Sequence, residues 1–208
     1  MNINSCLLAF CLSSVAAFAE PNKDYPRVDD TSSVESNGNR VIQLAVEVPA
    51  SVEEVWRAFT TSDGWKSFAV AFANVDLRVG GIIETSYNPE AKAGNLDNIK
   101  NQIVAYVPGR MLAFRCVQAP RTFQHKEEFF ATATVIELAP TPNGRTRVQA
   151  TSMGYGPGEA YDALFTKFRW GNAYTLEKLR LRFDPAPAKA KSTDAPATVA
   201  PSAKGSGQ

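Results

Sequence analysis

Histidine and cysteine are scarce in this sequence. Its 208 residues include one histidine, His125, and three cysteines. Cys6 and Cys11 lie in an N-terminal apolar run that we expect to be removed, so Cys116 would have no partner for an internal disulfide. With so few of the side chains that bind metals or form catalytic triads, we expect no metal and no cofactor.

An excess of charge of one sign is also absent. The chain has 22 Lys and Arg against 21 Asp and Glu, which gives a formal net charge of +1 at pH 7. Such a balance creates no overall positive field that would attract a polyanion. We therefore expect no nucleic-acid partner.

The pattern of residues 1–19 is typical of a cleavable signal peptide. An apolar and small-residue run from Cys6 to Ala17 is too short to span a bilayer. It ends in Ala17-Phe18-Ala19, which fits the small-x-small cleavage pattern, although no Lys or Arg precedes the run. We predict cleavage after Ala19, a periplasmic or secreted location, and no integral membrane segment once the signal is removed.

Two further segments lack the periodicity of folded elements. Residues 20–39 are rich in Asp, Ser, Asn and Pro, which predicts a flexible N-terminal segment. Residues 185–208 are a low-complexity run of Ala, Pro, Lys and Ser, which predicts a disordered tail. The remaining residues, 40–184, have the length of one domain.

Alternating hydrophobicity and turn residues predict an α+β order in residues 40–184. Residues 41–48 alternate as a half-buried strand that Pro49 ends. Ser51 and Glu54 form a capping-box pattern that opens a short helix, and residues 65–72 are compatible with a second one. Six strands and a last helix follow, near 74–79, 82–87, 99–107, 111–117, 132–138, 146–153 and 158–183.

This order favours a strongly curved antiparallel sheet wrapped around the long C-terminal helix, with two short helices after the first strand. The first strand is free to pair with the last. The doublet Gly80-Gly81 would ease a sharp bend or bulge in the sheet.

The last helix carries a polar residue inside an apolar stripe. Asn172 lies in the middle of that stripe with Thr175 beside it. A buried amide without partners costs about 1–3 kcal/mol, so Asn172 must meet backbone groups, water or a ligand. Two roles of Asn172 remain open: it could be bonded to the sheet within the core, or it could contact a ligand. The apolar members of the stripe are Tyr161, Leu164, Phe165, Phe168, Leu176, Leu179 and Phe183.

The strands that face this helix carry small side chains. Side chains two residues apart in a strand lie on the same face, so Thr134 points inward if Ile136 and Leu138 do. By the same alternation, Ser152 points inward if Val148 does. The helix aromatics would then either interdigitate with these strands or leave a pocket. The candidate ligand-binding residues of such a pocket are Phe165, Phe168, Asn172, Leu176, Thr134, Ser152 and Tyr161.

A second stripe, formed by Trp170, Tyr174 and Leu181, lies roughly opposite the first. It would pack against the N-terminal segment or contact a protein partner, because exposed aromatic clusters usually have a role.

Five segments in this order resemble the START-like or SRPBCC superfamily, which has the helix-grip fold. They are similar to the branch related to the chaperone-ATPase activator domain, over about residues 41–183. The segments are Val-Glu-Val-Pro-Ala-Ser-Val-Glu-Glu-Val-Trp at 46–56, Val-Gly-Gly at 79–81, Val-Pro-Gly-Arg at 107–110, Asn-Gly-Arg-Thr at 143–146 and Trp-Gly-Asn-Ala-Tyr at 170–174. The resemblance implies a cavity between sheet and helix, but no single activity, since members bind lipids, hormones or polyketides, catalyse their cyclisation or dehydration, or contact proteins only.

The interpretation that we favour is an exported protein that binds a small apolar molecule or lipid in this cavity. One alternative is a cyclase or dehydratase in the same cavity, but its candidate residues, Glu84, Arg115, Glu128 and Tyr161, form no recognisable constellation. Glu84 and Glu128 are more simply interpreted as part of a solvated strand face. The other alternative is a protein-interaction domain without a ligand that uses Trp170 and Tyr174.

Overall fold

The computed structural model describes residues 20–184 of the chain. The predicted signal peptide and the predicted C-terminal tail lie outside these residues. The strands are β1 (Glu20–Pro21), β2 (Val28–Asp30), β3 (Ser33–Val34), β4 (Arg40–Val48), β5 (Phe72–Val75), β6 (Ile82–Ser86), β7 (Ile99–Val107), β8 (Met111–Gln118), β9 (Ala133–Pro140) and β10 (Thr146–Tyr155). The helices are α1 (Val52–Thr60), α2 (Ser62–Lys66), α3 (Lys126–Phe130) and α4 (Glu159–Phe183).

The strands form one antiparallel sheet in the order β1-β2-β4-β10-β9-β8-β7-β6-β5, and β3 pairs with the end of β4. The pairing of β4 with β10, in which Val48 lies opposite Thr146 and Ile42 opposite Ser152, joins the first strand predicted from the sequence to the last one. The α+β order with a curved sheet and a long C-terminal helix is confirmed.

Helix α4 packs on the face of the sheet formed by β4, β10 and β2. Its 25 residues extend about 37 Å at 1.5 Å per residue, which is enough to cross the sheet. Leu164, Ala173, Leu176 and Leu179 are its buried side chains. None of the helices within residues 20–184 is both long and apolar enough to cross a bilayer.

Local chemistry explains where α1 begins. The side chain of Ser51 accepts a hydrogen bond from the backbone N–H of Glu54, and the backbone N–H of Ser51 donates to the Glu54 carboxylate at 2.9 Å. This capping box satisfies two backbone donors that the first turn leaves free. The predicted start of α1 is therefore confirmed.

The second short helix lies earlier than the sequence predicts, at Ser62–Lys66 instead of 65–72. Thr61 caps it by accepting a hydrogen bond from the backbone N–H of Gly64 at 3.0 Å. A Cβ at Gly64 would collide with the backbone of Arg57 and Ala58, so glycine lets α2 pack directly against α1. Gly64 thus serves a close approach of the two helices.

The glycine doublet lies between β5 and β6. Strand β5 ends at Val75 instead of the predicted 79, and residues 76–81 form a turn. Gly80 has a φ of 80°, and a Cβ at Gly81 would collide with the carbonyl oxygen of Asp76. Ile103 bonds to both glycines through backbone hydrogen bonds of 2.8 and 2.9 Å, which ties this turn to β7.

The prediction that residues 20–39 form a flexible segment was wrong for β1, β2 and β3, which pair within the sheet. Val28 is fully buried and lies opposite Val46 of β4. The buried Asp30 forms an ion pair with Arg169 of α4 at 2.7 Å, and Arg40 forms one with Asp162. These contacts join residues far apart in the chain, so the polar composition of the segment does not reveal them.

Candidate ligand-binding cavity

A cavity of about 170 Å³ lies between the sheet and α4. Strands β9 and β10 contribute Thr134, Ile136, Ala150, Ser152 and Tyr155 to its lining. Helix α4 contributes Phe168, Asn172, Thr175 and Leu176, and the α1–β5 region contributes Phe59, Trp65, Ala69 and Val70. The alternation predicted for β9 and β10 places their small side chains on this inner face, because Ile136, Leu138, Val148, Ala150 and Ser152 are all buried.

The seven candidate residues separate into two groups. Thr134, Ser152, Phe168, Asn172 and Leu176 line the cavity together. Tyr161 and Phe165 do not, because they lie on the first turns of α4, beyond the end of the cavity. Tyr161 lies beside Gly156, and the ring of Phe165 meets the ring of Tyr155 edge-on at 6.0 Å.

Asn172 is bonded to the sheet and also lines the cavity. Its Nδ2 donates to the hydroxyl of Ser152 at 3.2 Å, and that hydroxyl lies 2.8 Å from the hydroxyl of Thr134. Ser152 is only 1% exposed and links these two neighbours. Burial raises the pKa of Tyr155, although a hydrogen bond with Ser152 opposes that shift. The two alternatives for Asn172 are thus compatible with each other.

Replacing Ser152 with alanine should lower the free energy of unfolding by about 1–3 kcal/mol, because Asn172 and Thr134 would lose their shared partner. Thr151 provides a matched control, since its buried Oγ1 has no hydrogen-bond partner among residues 20–184. Thr151→Val should be neutral or stabilising. Urea unfolding of both variants measures the difference, and equal losses would contradict the role of Ser152.

An aromatic wall supplied by α3 and the loop before it was missed from the sequence. The rings of Phe129 and Phe168 stack with centroids 4.5 Å apart, and Phe123 lies 5.1 Å from Phe129. The adjacent Phe129 and Phe130 were the sequence feature that could have indicated this aromatic wall. The charged residues around them hid it, because they suggested a solvated segment.

Burial keeps the thiol and the buried phenol of the cavity lining un-ionised at neutral pH. Burial raises the pKa of Cys116 to about 12, and its thiol donates to the backbone carbonyl of Gln118 at 3.2 Å. Tyr155 stays protonated for the same reason. The lining therefore offers no carboxylate or thiolate as a general base.

The sequence suggested that Glu84 belongs to a solvated strand face. In the structure this residue is buried, with only 5% of its surface exposed. Its carboxylate accepts hydrogen bonds from Asn98 Nδ2 at 3.0 Å and from the backbone N–H of Gly94 at 2.8 Å. It therefore holds the loop between β6 and β7, and it does not line the cavity. Glu128 lies in α3 and not in a strand. The four candidate catalytic residues are thus not brought together, and no group of three or more His, Cys, Asp or Glu within residues 20–184 is placed to hold a metal ion.

The outer face of α4 carries a pair of aromatic rings. Trp170 and Tyr174 stack in parallel with centroids 5.7 Å apart, and they are 52% and 41% exposed. Tyr25 of the N-terminal segment lies about 6 Å from both rings, so this segment does pack against the stripe. The pair nevertheless keeps a large exposed area.

Comparisons with known proteins agree on the fold. Residues 49–183 match the family model described as Activator of Hsp90 ATPase homolog 1-like protein. No curated protein matches the chain significantly. Protein MLL2253 from Mesorhizobium loti is 21% identical, with a TM-score of 0.53 over 68% of this chain and 96% of that chain. CalU16 from Micromonospora echinospora is 19% identical, with a TM-score of 0.53 over 76% and 87%. A solution structure of the Aha1 dimer from Colwellia psychrerythraea is 18% identical, with a TM-score of 0.50 over 68% and 97%.

Proposed function

The chain belongs to the family of Activator of Hsp90 ATPase homolog 1-like proteins within the START-like superfamily, and from that premise we propose that it binds a small apolar molecule between the sheet and α4. The observation that carries this proposal is the cavity itself, which has an aromatic wall on one side and a short chain of polar groups on the other. Apolar walls with a few oriented polar groups are the usual composition of ligand sites.

The size of the cavity restricts the class of ligand. Sites for drug-sized molecules usually measure about 300–1,000 Å³. The cavity of about 170 Å³ is below that range, so it suits a single ring or a short alkyl chain better than a sterol. Removal of the apolar surface of such a guest from water would supply the main driving force.

Asn172 has the chemistry to orient this guest. Its Nδ2 is bonded to Ser152, whereas no group within residues 20–184 donates a hydrogen bond to its Oδ1. A ligand hydroxyl or amide could therefore donate to this oxygen without displacing a protein partner. The hydroxyl of Thr175 is already bonded to the carbonyl of Gly171 at 2.9 Å.

Native mass spectrometry tests the proposal. The purified protein is incubated with extracts and defined mixtures of small apolar molecules, including neutral ones, and is then separated from unbound material. We expect a complex with one guest per chain. Only ligand-free protein across all classes would refute the proposal. Cyclase or dehydratase activity is not proposed, because the lining lacks an ionised base.

We also propose that the protein is exported, on the basis of the apolar run and the Ala17-Phe18-Ala19 pattern. N-terminal sequencing of protein from fractionated cells should give Glu20 as the first residue in the periplasmic or secreted fraction. A cytosolic protein that begins at Met1 would contradict export.

A second candidate function is protein contact through Trp170 and Tyr174. Its support is their large exposure in a parallel stack, and aromatic side chains are common at the centres of interfaces. A second copy of the chain is the simplest partner to test, by light scattering after size exclusion. An oligomer that Trp170→Ala dissociates would support self-association, and a monomer in both proteins would exclude it.

A further inference from the structure

A groove of about 450 Å³ lies beside the cavity. It is formed by the residues that connect α2 to β5 and by the last turns of α4. Ala69 and Val70 line both the groove and the cavity, so the two spaces adjoin at these side chains. A guest that is longer than the cavity would enter the groove at this point.

Helix α4 places the groove directly after the cavity along its axis. Thr175 lines the cavity, whereas Lys178, Leu181 and Arg182 line the groove. At a rise of 1.5 Å per residue, Lys178 lies about 4.5 Å and Arg182 about 10 Å beyond Thr175 along the helix. Leu181 is half exposed and gives the groove an apolar surface next to these two cations.

Among residues 20–184, the groove is lined by cations and by no acidic side chain. Its charged members are Lys66, Lys178 and Arg182. Lys66 is paired with Asp63 at 2.7 Å, but Lys178 and Arg182 form no ion pair with an acidic group within residues 20–184.

The nearest acidic groups on neighbouring elements have partners of their own. Glu54 acts on Arg182 electrostatically, but its carboxylate accepts hydrogen bonds from Ser51. Glu177 is bonded to Arg180. Burial lowers the pKa of Arg182, against the effect of Glu54.

The Lys178 ammonium lies 6.0 Å from the centre of the Tyr174 ring, and the Arg182 guanidinium lies 4.4 Å from the centre of the Phe183 ring. Contact with a ring leaves the charge of each cation unneutralised, so both can still attract an anion.

We propose that the guest is an anionic amphiphile whose apolar chain occupies the cavity and whose carboxylate or phosphate head lies in the groove against Lys178 and Arg182. This inference rests on the proposed binding function and specifies its ligand class. The cavity alone has space for only a short apolar group, and the adjoining groove presents charges that are complementary to an anionic head.

Isothermal titration calorimetry with three amphiphiles of one chain length tests the ligand class: decanoate, decanol and decyltrimethylammonium. We expect decanoate to bind about tenfold more tightly than decanol, because two partly exposed ion pairs are worth roughly that factor, and we expect the cation to bind most weakly. Equal affinities for decanoate and decanol would overturn the inference and leave the proposed function standing. If none of the three binds, the inference fails, and the native mass spectrometry with neutral apolar molecules decides whether the proposed function fails with it.

Charge-neutralising variants test the place of the head group. The double variant Lys178→Gln/Arg182→Gln should lose the preference for decanoate and keep the affinity for decanol. The control Lys23→Gln/Lys92→Gln removes two exposed lysines outside the groove and the cavity and should keep the preference. Preference retained in the first variant, or lost equally in both, would overturn the assignment of the head to the groove.

Small anions separate an amphiphile site from a simple anion site. Acetate and inorganic phosphate carry the head-group charge without the chain. We expect neither to compete with decanoate at equal concentration. Competition at similar affinity would show that the groove binds free anions, which would refute the amphiphile.

Discussion

Replacement of Leu179 by alanine should lower the free energy of unfolding by about 2–5 kcal/mol. Leu179 is fully buried on the face of α4 that packs against the sheet, and it does not line the cavity. Its removal therefore eliminates apolar burial and leaves an empty space within the core. Urea unfolding followed by circular dichroism measures the loss.

The matched control is Leu181→Ala on the same helix. Leu181 is 50% exposed, so its truncation should change stability by no more than about 0.5 kcal/mol. The two variants make the same chemical change in the same helix, one on its buried face and the other on its exposed face. Similar losses in both would contradict the assignment of the buried face of α4.

Ala150→Leu should weaken binding of a neutral single-ring probe, toluene, by about tenfold to a hundredfold. Ala150 is 4% exposed and lines the cavity from β10. A leucine side chain would occupy part of the 170 Å³, so the probe would bind only if the walls moved, at a cost of about 1–3 kcal/mol. Isothermal titration calorimetry measures the affinity.

Stability separates blockage from misfolding. Because the added carbons of Ala150→Leu fill existing apolar space, its melting temperature should stay equal to that of the original protein or rise. Gln149→Leu is the control, since Gln149 points to the other face of β10, where it donates to Glu137. It should bind the probe normally. Unchanged binding in Ala150→Leu would place the ligand elsewhere.

Local signals predicted the framework well where one face of an element is buried. The alternation of Ile42, Leu44, Val46 and Val48 placed β4 to within one residue, because a two-residue period has only one inward face. The Ser51 and Glu54 capping box marked the start of α1 because its hydrogen bonds are made within four residues.

Long-range contacts account for the errors. Glu84 and Asn98 are 14 residues apart, and Asp30 and Arg169 are 139 residues apart, so no local pattern shows that these groups pair. A polar residue was interpreted as exposed in the first case, and a polar segment as flexible in the second. Both are buried because a partner from another element offsets the cost of removing a charge from water.

The residues of the cavity also divide into those that local patterns indicate and those that depend on long-range contacts. The stripe on α4 and the alternation of β9 and β10 indicated Phe168, Asn172, Leu176, Thr134 and Ser152 as inward residues, and all of them line the cavity. The stripe also indicated Tyr161 and Phe165, because periodicity specifies which face of a helix is buried and not which turn lies over an empty space. The aromatic wall from α3 and the basic groove beside Val70 depend on how loops fold back onto α4.

The sequence by itself determined the order of β4 to β10, of α1 and of α4, and their inward faces, because backbone geometry repeats every 2 or 3.6 residues and every such signal is local. The family was indicated separately, by the resemblance of five short segments. Only the tertiary structure decided that sheet and helix leave a space of about 170 Å³ and that Lys178 and Arg182 line the groove beside it. A cavity is the space that side chains from distant elements leave unfilled, so its volume is defined only once those elements have packed together.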